Sequence, residues 1–198
     1  MNVSILDYGI GNLHSLAKAL EGEQLRVRLD TDVRDALTAD AIVLPGVGNF
    51  GAAAARIATH REALRDALAE GKPCLGVCLG MQLLFERSEE AEGTGIGALP
   101  GSVRRLRAAR VPHMGWNEVE MSDDPLFTGT APFIAYYANS YVCEPEDPTA
   151  IIARTELDGE RWAAAVRHGS TLGVQFHPEK SGSPGIQLLR NFLREAGA

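Results

Sequence analysis

Residues 72–85 read Lys-Pro-Cys-Leu-Gly-Val-Cys-Leu-Gly-Met-Gln-Leu-Leu-Phe, and their order decides the fold. Lys72-Pro73 introduces a short apolar run, 74–77, of strand type. Residues 79–85 then read as a helix. Cys78 stands at the junction. Gly76-Val77-Cys78-Leu79-Gly80 has the form glycine, any residue, nucleophile, any residue, glycine. This is the cysteine counterpart of the serine elbow. A nucleophile in such a strained turn needs small neighbours two residues to either side, where strand and helix adjoin. The turn leaves the sulfur exposed at a helix start, where the macrodipole and free backbone N–H groups favour the reactive thiolate. The N–H of Leu79 is placed to bind an oxyanion. Cys74, inside the strand, reads as a buried structural cysteine.

Working outward, the first half alternates strand and helix. Residues 3–6 form a strand ending at Asp7, and a turn, Gly9-Ile10-Gly11-Asn12, follows it. Leu13, Leu16, Ala17 and Leu20 recur at helical spacing. Leu25, Val27 and Leu29 alternate with arginines as in a strand with one wetter face. Residues 41–44 are a third strand, stopped by Pro45-Gly46, and 50–70 are alanine-rich and mostly helical. The second half changes character. Short strands are expected at 102–106, 118–121, 133–142 and 151–154. A hairpin at 162–166 and 171–176 turns around His168-Gly169-Ser170. A last helix buries Ile186, Leu189, Phe192 and Leu193. The expected class is α/β: a three-layer open, mainly parallel sheet flanked by helices, with an added antiparallel portion in the second half. No linker or repeat divides residues 1–198, which read as a single domain. In such sheets reactive groups gather beyond the C-terminal ends of the strands, where Cys78 and the 45–48 loop both fall.

With 198 residues the chain can bury a sizeable core, and its net charge of −7 disfavours nucleic acid and anionic membranes as partners. The run from Arg104 to Arg110 reads as a solvated strand and turn. Cys74, Cys78 and Cys143 are odd in number and make neither a disulfide framework nor a C-x-x-C pair. The first residues lack a basic segment, and no apolar run reaches the ~18 residues of a membrane span. A reducing cytoplasm is the expected location.

Phe176-His177-Pro178-Glu179 follows the apolar strand that ends near Gln175. A thiol nucleophile needs a base to take its proton and return it to the leaving group. The imidazole needs a carboxylate to fix its tautomer and orientation. Glu179 lies two residues on, and Pro178 stiffens the link. His14 and His60 fall on predicted helices, His113 and His168 in turns, and none makes a metal-binding pattern, so no metal is expected. Gly9-Ile10-Gly11 after a strand, with Asp30 ending the next strand, invites a dinucleotide reading. His14 occupies the place of the third glycine, which favours a plain tight turn, and no cofactor is expected.

Taken together these motifs resemble the class I, triad-type glutamine amidotransferases. Gly-Val-Cys-Leu-Gly-Met-Gln (76–82) is similar to their nucleophile segment, His177-Pro178-Glu179 to their His-Pro-Glu segment, and Pro45-Gly46-Val47-Gly48 to their oxyanion strand. Asp7-Tyr8-Gly9-Ile10-Gly11-Asn12, Pro112-His113-Met114-Gly115-Trp116-Asn117, His177-Pro178-Glu179-Lys180-Ser181 and Leu-Leu-Arg-Asn-Phe (188–192) resemble one branch, the glutaminase subunits of imidazole glycerol phosphate synthases. The resemblance covers essentially the whole chain.

It implies hydrolysis of glutamine to glutamate and ammonia through Cys78, His177 and Glu179. It implies oxyanion stabilisation by Leu79 with Gly46, Val47 and Gly48. It implies glutamine binding by Gly48, Gln82, Glu90 and Asn139-Ser140-Tyr141. The implied partner is a cyclase of (β/α)₈-barrel fold that uses the ammonia in histidine biosynthesis and meets this chain near Asn12, Trp116, Tyr136 and Lys180. Many members carry histidine where this chain has Asn139. The resemblance also implies weak hydrolysis until the partner is loaded, for which rotation of the Gly46-Val47 peptide is a physical cause. Other readings stay open: Trp116 as core, Asn12 as a helix cap, Glu90 as a solvated helix end. At the level of function the alternatives are a glutaminase serving another synthase, a catalytically silent binding subunit, and a nucleotide-binding regulator using the Gly9 loop.

Overall fold

The computed structural model describes residues 1–9, 13–22, 25–46 and 48–197. In chain order the strands are β1 (Asn2–Leu6), β2 (Arg26–Asp30), β3 (Ala41–Leu44), β4 (Cys74–Val77), β5 (Arg87–Ser88), β6 (Gly101–Arg105), β7 (His113–Met121), β8 (Phe133–Asn139), β9 (Tyr141–Pro145), β10 (Ile151–Leu157), β11 (Glu160–His168) and β12 (Thr171–Val174). The helices are α1 (His14–Leu20), α2 (Val33–Leu37), α3 (Phe50–Ile57), α4 (Arg61–Ala69), α5 (Leu79–Leu83) and α6 (Gly182–Glu195).

Nine strands form one sheet in the order β2-β1-β3-β4-β12-β11-β10-β7-β8. The pairs from β2 through β12 are parallel. From β12 to β8 every pair is antiparallel. The expected mainly parallel sheet with an antiparallel portion is thus one continuous sheet. A smaller sheet, β5-β6-β9, stands apart from it.

β3, β4 and β12 are buried along their whole length because helices cover both faces. Alternate residues serve opposite layers. Val3, Ile5, Val43, Leu75, Val77, Leu172 and Val174 share a core with Leu16 of α1 and Leu188, Leu189 and Phe192 of α6. Leu6, Ile42, Leu44 and Cys74 share the other with Val33 of α2, Phe50 of α3 and Leu64 of α4. Burying each such side chain contributes about 2 kcal/mol.

Four expectations need correction. The 50–70 helix is broken by a 3₁₀ turn at Ala58–His60 into α3 and α4. The strand expected at 133–142 is two strands: β8 closes the edge of the large sheet, and after Ser140 the chain enters the small one as β9. His113 and His168 belong to β7 and β11 rather than to turns. Arg104 is not solvated; it is buried and paired with Glu144 and Glu160. The hairpin around His168-Gly169-Ser170 is as expected. Ile186 is only partly buried on α6, whereas Leu189, Phe192 and Leu193 are buried.

Candidate active site

β4 delivers Cys78 to the crevice. Its N–H donates to the Val174 carbonyl at 2.7 Å, prolonging the β4–β12 ladder by one residue before the chain turns. Cys78 then takes φ +48° and ψ −104°, a region that costs a non-glycine residue about 1–3 kcal/mol. The flanking glycines are required by close approach. A Cβ on Gly76 would lie 2.5 Å from the Gly80 carbonyl oxygen, and one on Gly80 would lie 2.0 Å from that of Leu44. The helix that follows is shorter than expected. α5 ends at Leu83 because the N–H groups of Leu84 and Phe85 tighten onto the Met81 and Gln82 carbonyls. Little macrodipole therefore acts on the sulfur, and the side chains around it take on that work.

β12 delivers the histidine. After Phe176 the His177 N–H donates to the Tyr136 carbonyl at 2.8 Å, which ties the turn to β8. Ser181 closes the loop: its hydroxyl donates to the His177 carbonyl at 2.7 Å and accepts from the Tyr136 N–H at 3.0 Å. Held this way, His177 Nδ1 meets Glu179 Oε1 at 2.8 Å, both side chains being nearly buried. Burial alone would lower the imidazole pKa. Hydrogen bonds with Cys78 and Glu179, together with the negative charge of each, outweigh it and push the value up to about 9. Gly46, beyond β3, packs onto this pair; a Cβ there would lie 2.9 Å from both Cys78 Cβ and His177 Cε1. Thiol, imidazole and carboxylate are thus assembled in the order that nucleophilic acyl transfer needs, beside the loop after β3.

The comparisons place the chain in a family. The family model described as "Glutamine amidotransferase class-I" matches residues 4–196. The chain belongs to the class-I glutamine amidotransferase family. It is 44% identical over 202 residues to an "Imidazole glycerol phosphate synthase subunit HisH" of Halobacterium salinarum, covering 97% of this chain and 92% of that one. To the protein of that name from Pyrococcus furiosus it is 44% identical over 195 residues, covering 97% and 98%. Among solved structures, a "Crystal structure of glutamine amidotransferase" superposes with TM-score 0.79 at 22% identity, covering 99% of both chains. "Structure of PurLQS from Thermotoga maritima" gives 0.77 at 21%, covering 98% of both. At those identities the structural matches speak for the amidotransferase fold alone.

Other amidotransferase positions expected to bind substrate lie close by, though several atoms are already engaged. Gln82 is buried, and its NH₂ donates to the Tyr141 carbonyl at 3.1 Å. Asn139, also buried, donates to the same carbonyl at 3.1 Å. The Ser140 carbonyl accepts from Leu106 N–H. Glu90 is no free-standing helix end: its Oε2 accepts from the Phe50 N–H at 2.8 Å and caps α3, which follows Gly48. Gly48 holds φ +101°. As the first helical residue, Leu79 has an N–H without an intrahelical acceptor, as an oxyanion donor requires. Val47, Gly11 and Asn12 lie outside the described residues.

Trp116 is not core. It is 52% exposed, opposite Tyr136 in the β7–β8 register, with ring centroids 5.9 Å apart. Tyr136 reaches inward to the His177 ring at 6.3 Å, and the Lys180 ammonium lies 5.5 Å from the Tyr136 ring centroid. The three described residues expected at the partner junction therefore converge on one patch beside the histidine. Of the Gly9 loop, residues 10–12 lie outside the described residues. Arg56 crowds Gly9, and Asp30 is occupied by the Ser4 hydroxyl and Arg28. Among the described residues no group of three or more His, Cys, Asp or Glu could hold a metal, and no helix is long and apolar enough to cross a membrane.

Sequence reasoning missed Gln175 and the clasp role of Ser181. Gln175 is fully buried, and its NH₂ lies 3.5 Å from Cys78 Sγ. The available signal was a polar residue between Val174 and Phe176 in an apolar strand, since buried amides are nearly always paired.

The raised histidine predicts a pH dependence. The imidazolium form is favoured in the folded state over its ordinary value of 6.5. The stability this contributes is fully present below about 6.5 and is lost as pH rises through about 9. Glutaminase kcat/KM, which reports the free enzyme, should fall on an alkaline limb near 9, accompanied by a lower melting temperature. A limb near 6.5 in a buffer series would contradict the assembly.

Proposed function

We propose that this chain is the glutaminase subunit of an imidazole glycerol phosphate synthase. It hydrolyses glutamine and passes the ammonia to a cyclase that makes imidazole glycerol phosphate and aminoimidazole carboxamide ribotide in histidine biosynthesis. The observation that carries the proposal is the convergence of Cys78, His177 and Glu179 at the strand ends of a chain 44% identical over nearly its full length to subunits of that name.

The reaction proceeds in two stages, acylation and deacylation. Cys78 Sγ attacks the side-chain amide carbon, and the carbonyl oxygen becomes an oxyanion facing the Leu79 N–H and the loop of Gly46, Val47 and Gly48. His177, which holds the proton of the thiol, delivers it to the amide nitrogen. The C–N bond breaks, and ammonia leaves behind a glutamyl thioester. His177 then takes a proton from water, the resulting hydroxide adds to the thioester carbon, and the C–S bond breaks to release glutamate. Glu179 keeps Nδ1 protonated, so that Nε2 serves the chemistry. The glutamine backbone end sits by Gly48, Gln82, Glu90 and residues 139–141, with the carboxylate of Glu90 toward its ammonium.

Ammonia delivered to water would be protonated and lost to the acceptor. The partner, a (β/α)₈-barrel cyclase, therefore covers the side of the site where Trp116, Tyr136 and Lys180 lie, with Asn12 as a further proposed contact. A groove of about 710 Å³ lined in part by Trp116, Glu118, Ile134 and Ser181 adjoins that patch. The partner is a protein rather than nucleic acid or membrane, in keeping with the acidic chain. Residues 1–198 act as one domain in the cytoplasm, where three unpaired thiols persist.

The test is reconstitution. Glutamine should support the cyclase product only when both subunits are present. Glutamate release should rise from this chain alone, to the pair, to the pair with cyclase ligand. Equal glutamate release in all three, or cyclase product only with another synthase partner, would refute the assignment.

A further inference from the structure

The polar chain beneath the thiol has a fixed direction. A backbone carbonyl can only accept, so Gln82 must turn its NH₂ toward the Tyr141 oxygen, 3.1 Å away. The other hydrogen of that NH₂ meets Gln175 Oε1 at 3.3 Å. Gln175 is thereby left with its own NH₂ toward Cys78 Sγ, at 3.5 Å, within reach for a donor to sulfur. Asn139 donates to the same Tyr141 carbonyl and stiffens the anchor. Gln175 is wholly buried and Gln82 nearly so, leaving no room for water to replace either amide. An amide in an apolar strand is costly to bury unless paired, and both ends of Gln175 are paired.

We infer that Gln175 is a further catalytic residue, a hydrogen-bond donor to the Cys78 sulfur whose orientation is fixed by Gln82 and the Tyr141 carbonyl. Its part in turnover rests on the glutaminase reading, while the contact with sulfur does not. The donor matters when the sulfur carries charge. That happens twice: in the thiolate before attack, and again when the tetrahedral adduct formed from the thioester and water collapses, the C–S bond breaks and the electron pair returns to sulfur. In the thioester itself the sulfur is neutral and the donor gains little. Donation trims the intrinsic nucleophilicity of the thiolate but makes it a better leaving group. Deacylation depends on Gln175 more than acylation does.

The titratable groups bearing on Cys78 are His177, from the turn after β12, and Cys143 on β9. Burial holds Cys143 in its neutral thiol form. Substituting Gln175 leaves both in place.

The experiment uses the full chain. Iodoacetamide alkylation of Cys78 is followed across pH in the parent and in Gln175→Met, which has the same unbranched length and no donor. The midpoint should move up by about one unit, the effect of one hydrogen bond to a charged acceptor. Gln175→Glu keeps an acceptor for Gln82 and puts an ionisable oxygen at the sulfur, so its midpoint should rise further. Intact-mass measurement during glutamine turnover should find a larger glutamyl-enzyme fraction in Gln175→Met than in the parent. Variants that melt like the parent yet keep its midpoint overturn the inference, as does a uniform slowing at every pH. A shifted midpoint in a protein whose parent releases no glutamate from glutamine even with the cyclase and its ligand supports the sulfur contact and overturns the glutaminase reading instead.

Discussion

Replacing Cys78 with alanine should abolish glutamine hydrolysis while the protein still folds. The acyl-transfer route needs a nucleophile between His177 and the loop after β3, and neither Cys74 nor Cys143 can substitute. Both are buried, and burial pushes the Cys74 thiol up to about 12 and that of Cys143 higher than an ordinary thiol. Removing the nucleophile of a triad costs about 10⁴-fold or more in turnover. The strained turn is retained because alanine faces the same φ of +48°, so the melting temperature should change little. The discriminating measurement pairs two assays. Glutamate release from Cys78→Ala should vanish, whereas the reconstituted complex should still make product from added ammonium salt. Glutamine-dependent activity at parental level would remove the nucleophile from the reading altogether.

Gly80→Ala should fail at an earlier stage. The new methyl would sit 2.0 Å from the Leu44 carbonyl oxygen and 2.8 Å from Leu44 Cβ. Leu44 cannot retreat, since β3 is held by β1 on one side and β4 on the other. A clash with fixed backbone in the centre of the sheet costs about 3 kcal/mol, at the severe end of overpacking. For a chain of this size that lowers the melting temperature by ~10 °C. Thermal unfolding followed by circular dichroism reads the effect directly. An unchanged midpoint would mean that the elbow is not packed as described.

The parallel half of the fold was legible because buried strands and amphipathic helices have unmistakable periods. Residues 41–44 and 74–77 are apolar throughout, and both end at turn residues. The elbow was legible for a local reason: two glycines around a cysteine are a steric requirement written within five residues. What escaped was long-range. The split of 133–142 at Ser140 depends on which sheet each side pairs with, and nothing in Ala138-Asn139-Ser140-Tyr141 announces a change of sheet. Arg104 read as wet because its partners, Glu144 and Glu160, are brought to it only by folding. Gln175 was passed over because its neighbours Gln82 and Cys78 are more than ninety residues away in the chain.

One continuous piece of chain, 133–145, touches everything that matters. Its outer stretch carries Tyr136, whose ring faces Trp116 and whose carbonyl holds the backbone of His177. Five residues on, past the corner at Ser140, the Tyr141 carbonyl anchors the amides under the sulfur. The segment is one unbroken span between the exposed Trp116 patch and the nucleophile. A substitution in it therefore bears on the backbone of the base and on the support of the thiol at once.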